Sequence, residues 1–77
     1  MTEKSAFSDY VRHVNGRAEA ARRLAISVGM VGHIENGIRG ISPAVAMKIE
    51  ADTNGVIPRS RLRPDLWGDA AQQHNDV

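Results

Sequence analysis

The chain contains no cysteine. That excludes a disulfide framework and a thiolate metal site, and it fits a reducing compartment. Aromatic residues are scarce, with one Phe, one Tyr and one Trp in 77 residues, so aliphatic side chains must build most of any core. Long apolar runs are missing too. Stretches such as LAI and VAM fall far short of the ~20 residues a membrane span needs, and no charged-then-apolar start reads as a secretion signal. The expectation is one small soluble domain in the cytoplasm, away from membranes. A chain this short buries only roughly 60% of its unfolded surface, so its stability is modest. His13, His33 and His74 have no ligand spacing, so no metal or cofactor is expected. Ser, His and Asp occur without a nucleophile motif, and so small a domain has little room for a deep pocket. Neither an enzyme nor a small-molecule site is expected.

The net charge of +1 hides an asymmetry. Residues 17–63 carry eight Arg or Lys against four Asp or Glu, whereas residues 64–77 carry three Asp and no Arg or Lys. A basic middle suits a polyanion partner, although an excess of this size also occurs on ordinary solvated surface.

Apolar spacing predicts helices throughout. Phe7, Tyr10, Val11 and Val14 make one stripe on a helix from Ser5 to Val14. Asn15-Gly16 ends it, with glycine in the left-handed cap. A second helix runs from Arg17 to Leu24, with Ala18, Ala21 and Leu24 on one face. Ala25-Ile26 form a tight turn, and Ser27 caps a third helix from Val28 to about Asn36, with Val31 and Ile34 inward and Gly37 closing it. Ser42-Pro43 starts a fourth helix, with Val45, Ala46 and Ile49 inward, that runs to about Asp52 or Thr53. Asn54-Gly55 stops it. Val56 and Ile57 are expected to cover the bundle. Pro58 opens a single turn through Leu62, and RPDLW folds Leu66 and Trp67 back onto the core. The domain is expected to span residues 1–67, with residues 68–77 a flexible tail. The fold class is all-α, a bundle of four to five helices with a helix-turn-helix.

Counted from Arg17, Ala21 follows at +4, Ala25 at +8, Val31 at +14 and Ile34 at +17. Ala21 lies where the second helix meets the third, and Val31 and Ile34 pin the third helix down. That is the helix-turn-helix arrangement, whose second helix keeps its outer face free. Ala25 departs from the usual glycine and carries strain of about 1 kcal/mol. RAEAARRLAISVGMVGHIENG, together with RLRPDLW, resembles the Cro-like, YdaS-type regulators of phages and prophages, within the lambda-repressor-like DNA-binding domains. Leu62, Arg63, Pro64, Asp65, Leu66 and Trp67 match that family's closing motif, and the similarity covers about residues 7–67. The resemblance implies a transcriptional repressor that occupies duplex operator DNA, as a homodimer at least on DNA.

Gly29 and Gly32 each cost the third helix roughly 1 kcal/mol relative to alanine. Lying opposite Val31 and Ile34, they would let the backbone approach a duplex. Tolerance of glycine in a marginal helix and tight packing by a protein partner are the competing explanations. On the groove reading, Ser27, Val28, Gly29, Gly32, His33 and Asn36 form the base-reading set. Arg17, Arg39 and Ser42 form the phosphate set. Arg22 and Arg23 are expected to face solvent or pair with Glu19, and Arg59, Arg61 and Arg63 to serve DNA or the surroundings of Asp65 and Trp67. An antitoxin or anti-regulator that holds a protein through the same scaffold is the alternative function.

Overall fold

The computed structural model of the chain describes residues 3–68. Within them the fold is all-helical: α1 (Glu3–His13), α2 (Arg17–Leu24), α3 (Val28–Glu35), α4 (Pro43–Asp52) and α5 (Arg59–Leu62). A single wide turn of π type follows over Pro64–Gly68. There is no strand among the described residues. The expected tail, beyond Gly68, lies outside the described residues.

The first stripe folds as its spacing predicts. Phe7, Tyr10, Val11 and Val14 are all buried, and the Phe7 and Tyr10 rings meet with centroids 6.4 Å apart. They close with Leu24, Val31, Ile49 and Leu62 into one core, where each large apolar side chain contributes about 1.5–3 kcal/mol. α1 packs on α3 and α5, α2 mainly on α3, and α4 mainly on α5. Small residues set the spacing on α2, where Ala20 and Ala21 are buried beside Leu24. Ala18 does not join that face. It is exposed, and Ala20 is buried in its place.

Helices α1 to α4 all end in the same pair of backbone bonds. The left-handed residue donates to the carbonyl three back, and its successor donates to the carbonyl five back. The left-handed positions are Asn15, Ala25, Gly37 and Asn54. At two of them asparagine, not the expected glycine, takes the αL cap. Gly16 and Gly55 follow at φ +129° and +83°, one step later than expected. Asparagine tolerates αL through its short polar side chain, and the glycine then redirects the chain.

Thr53, at the foot of α4, is a buried polar residue. Its hydroxyl donates to the Ile49 carbonyl at 2.9 Å and accepts from the Ile57 amide at 3.1 Å. This bond draws Ile57 into the core. Val56 goes the other way and is 68% exposed, so only half of the expected Val56-Ile57 cover forms. The closing turn divides similarly: Trp67 packs against the core, whereas Leu66 is 45% exposed. Arg63 bridges Asp65 and the Ile41 carbonyl, and the Arg59 guanidinium lies 5.0 Å from the Trp67 ring centre. Gly68, assigned by sequence to the tail, belongs to the fold, since a Cβ there would meet the Pro64 Cβ at 2.9 Å.

Candidate nucleic-acid interface

The α2–α3 corner is made by Ala25 at φ +60°, ψ +40°. Its amide donates to Arg22 and the Ile26 amide to Ala21, which closes α2 and turns the chain into α3. Lys48 of α4 donates to the Leu24 carbonyl at 3.4 Å, a cation at the negative end of α2 that sequence reading did not find. Ser27 caps α3, its Oγ accepting from the Met30 amide at 3.0 Å. Val31 and Ile34 then bind the helix to the core.

The opposite side of α3 is not covered. Ser27, Val28, Gly29, His33 and Asn36 are exposed, and Gly32 is half-buried. Ser27 retains only its hydroxyl proton and remaining lone pair for an external partner, because its cap bond is made. A Cβ on Gly29 would find only the Ser27 Oγ, at 3.9 Å. A Cβ on Gly32 would meet only an Arg17 terminal nitrogen, at 3.6 Å. Neither glycine is required by packing among the described residues.

The three expected phosphate ligands surround α3 without being equivalent. Arg17 lies over Gly32, and its Nε donates to Glu35 at the end of α3, a partner the sequence reading did not assign it. The Ile38 and Arg39 amides both donate to the His33 carbonyl, which folds Arg39 back beside α3. Ser42 caps α4, accepting from the Val45 amide at 3.2 Å. Among the described residues Arg39 has no ion pair.

Most other bases are neutralised internally. Arg22 and Arg23 both pair with Glu19, and Arg23 also reaches Asp52 at 3.1 Å. Hydrogen bonds from Arg22 and then Arg23 hold the Glu19 carboxyl down to about 2. Arg61 pairs with Asp9, Arg59 with Glu50 and Arg63 with Asp65, whose carboxyl Arg63 holds below the usual range. The basic middle of the chain is therefore largely a set of ion pairs, and among the described residues the positive charge around α3 rests on Arg39, on the paired Arg17 and on Lys48 at the α2–α3 corner. No group of three or more His, Asp or Glu able to hold a metal occurs among the described residues. No helix there is long and apolar enough to cross a membrane.

Residues 7–71 match the model of a family described as bacterial toxin YdaS. No curated protein and no solved structure matches the chain.

Proposed function

The chain belongs to the bacterial toxin YdaS family, which it matches over residues 7–71, and on that premise we propose that it is a sequence-specific DNA-binding regulator of Cro-like type. Membership makes it a small toxin-, antitoxin- or regulator-like domain. The finer reading is supported above all by the bare outer face of α3, where two glycines that no internal contact requires sit among Val28, His33 and Asn36.

In this reading α3 enters the major groove. His33 and Asn36 hydrogen-bond to base edges, and Val28 packs against a thymine methyl. Ser27 offers its remaining hydroxyl proton. Arg39, Ser42 and Arg17 hold phosphates and fix the register. Two copies related by a two-fold axis put their α3 helices in successive major grooves, about 34 Å apart, on a near-palindromic operator. Repression is steric, through occupancy of the operator.

Protection of random and native upstream DNA from cleavage tests this directly, with affinity followed as salt rises. A DNA reader gives a bounded footprint and loses affinity steeply through counterion release. The second reading, a module that binds a protein, draws on the family description and on exposed Ile38 and Met47. It predicts no footprint and a salt-insensitive complex.

A further inference from the structure

The loop between α3 and α4 leaves a cleft beneath α3. Its volume is about 180 Å³, and Ile26, Met30, Ile34 and Val45 line it together with Arg39 and Ser42. The sequence gives no reason to expect it, since these residues come from the turn, both helices and the loop. For scale, an engineered apolar cavity of about 150 Å³ admits benzene. The cleft thus has room for one ring or a short alkyl chain, and it is too small for a helix or a strand.

Its lining is chemically divided. Four apolar side chains form the wall, and all but Ile34 are only partly buried. Arg39 is exposed and has no ion pair among the described residues. Ser42 accepts from the Val45 amide, which leaves its O–H free to donate. A guanidinium without a carboxylate of its own, beside an apolar hollow, suits a ligand with a carboxylate at one end and hydrocarbon at the other.

We propose that the α3–α4 cleft binds a small monocarboxylate with a one-ring or short alkyl body, its hydrocarbon against Ile26, Met30 and Val45 and its carboxylate on Arg39. A consequence rests on the DNA-binding reading: Arg39 serves either ligand or phosphate, so the carboxylate releases the protein from DNA.

The test uses the full chain without DNA, so its outcome is independent of the DNA reading. Methyl-resolved NMR follows titration with phenylacetate and hexanoate, and with 2-phenylethanol and 1-hexanol as neutral counterparts. Saturable shifts confined to the Ile26, Met30, Ile34 and Val45 methyls are expected, with the acids bound about tenfold tighter than the alcohols. Arg39→Gln, at an exposed position, should abolish the preference for acids, which then bind no tighter than the alcohols. Val45→Phe, which fills the cleft, should remove both, with circular dichroism reporting whether it folds; if it does not, Arg39→Gln decides alone. No shifts up to the solubility limit, shifts scattered over the surface, or equal affinity for acid and alcohol overturn the proposal. Where a footprint has been found, saturating phenylacetate should weaken the apparent affinity of the wild type for that site. An unchanged affinity there overturns the coupling to DNA and leaves the result of the DNA-free titration standing.

Discussion

Arg17, the first residue of α2, donates through Nε to Glu35, the last residue of α3, and in doing so crosses Gly32. The pair ties the start of α2 to the end of α3. On the proposed DNA-binding reading it also gives the arginine a carboxylate partner that a phosphate has to displace.

Arg17→Ala is therefore expected to act in two measurable ways. The Arg17 side chain is 54% exposed but that of Glu35 only 15%, so the pair is partly screened and the loss of folding stability should be about 1 kcal/mol. Binding to all DNA sequences should weaken about equally, and the slope of log affinity against log salt should flatten by about one. Glu35→Gln should strengthen binding to all sequences, since it leaves Arg17 free for a phosphate. An unchanged salt slope in Arg17→Ala removes it from the phosphate set.

Gly29→Ala separates the two accounts of the glycines. A methyl there meets open space apart from the Ser27 Oγ, so the helix should gain about 0.5–1 kcal/mol, seen as a higher urea midpoint. If the backbone of α3 lies close to a duplex, DNA affinity should fall while stability rises. A rise in stability with DNA affinity intact means that Gly29 is only tolerated.

Much of this fold is legible in sequence because its signals are local. The stripe Phe7, Tyr10, Val11 and Val14, the caps Ser27 and Ser42, and Pro43 at the first turn of α4 each act within one or two helical turns. Face assignments fail where two adjacent apolar residues compete. Thr53 pulls Ile57 inward and leaves Val56 out, and nothing in the pair itself says which. The division between Leu66 and Trp67 has the same origin. For the candidate interface, the exposed side of α3 follows from the burial of Val31 and Ile34. The fate of Arg17 does not, since Glu35 is 18 residues away and their meeting depends on the angle of the turn. Gly68 was hidden because its constraint is the Pro64 ring, a contact that periodicity does not register.

The corner at Ala25 is strained by design of the chain, and the strain is testable. L-Alanine at φ +60° brings its Cβ against the following carbonyl, a penalty of about 1 kcal/mol that glycine escapes. Ala25→Gly keeps both closing bonds and is expected to raise stability by at most about 0.5 kcal/mol, once the about 0.5–1 kcal/mol of extra freedom glycine has in the unfolded chain is subtracted. In a domain of this size that is a rise in thermal midpoint of no more than roughly 2–4 °C. A lower midpoint would show that the Ala25 methyl packs usefully despite its exposure.

His33 is exposed on the outer face of α3, and its carbonyl is occupied by the Ile38 and Arg39 amides. Its ring is therefore what it can offer to DNA. His33→Ala should weaken binding to the specific site by about 1–3 kcal/mol and leave non-specific binding nearly unchanged. Equal losses on specific and non-specific DNA exclude it as a reader.

The bond from the Tyr10 hydroxyl to Asp52, 2.9 Å long, should make stability depend on pH at both extremes. Burial first, and then the Asp52 carboxylate, raises the Tyr10 phenol well above its ordinary value of 10.0. The unfolded chain loses that proton near pH ~10 while the folded chain keeps it, so stability falls as pH rises above about 10. Asp52 moves the other way: the Tyr10 hydrogen bond, and next that of Arg23, hold its carboxyl below 3.8. Its contribution is complete above about pH 4 and is lost as pH falls further, and Glu19, held at about 2, adds to the same acid limb. Tyr10 is the sole tyrosine of the chain, so Tyr10→Phe removes the phenol's whole share of the alkaline limb. It should also shrink the acid limb, because Asp52 retains only Arg23. At neutral pH the variant should lose about 1.5–3 kcal/mol, the value of a hydrogen bond to a charged acceptor. Urea midpoints measured from pH 3 to about pH 11 decide it. An alkaline limb as steep in Tyr10→Phe as in the wild type would place the titrating group elsewhere.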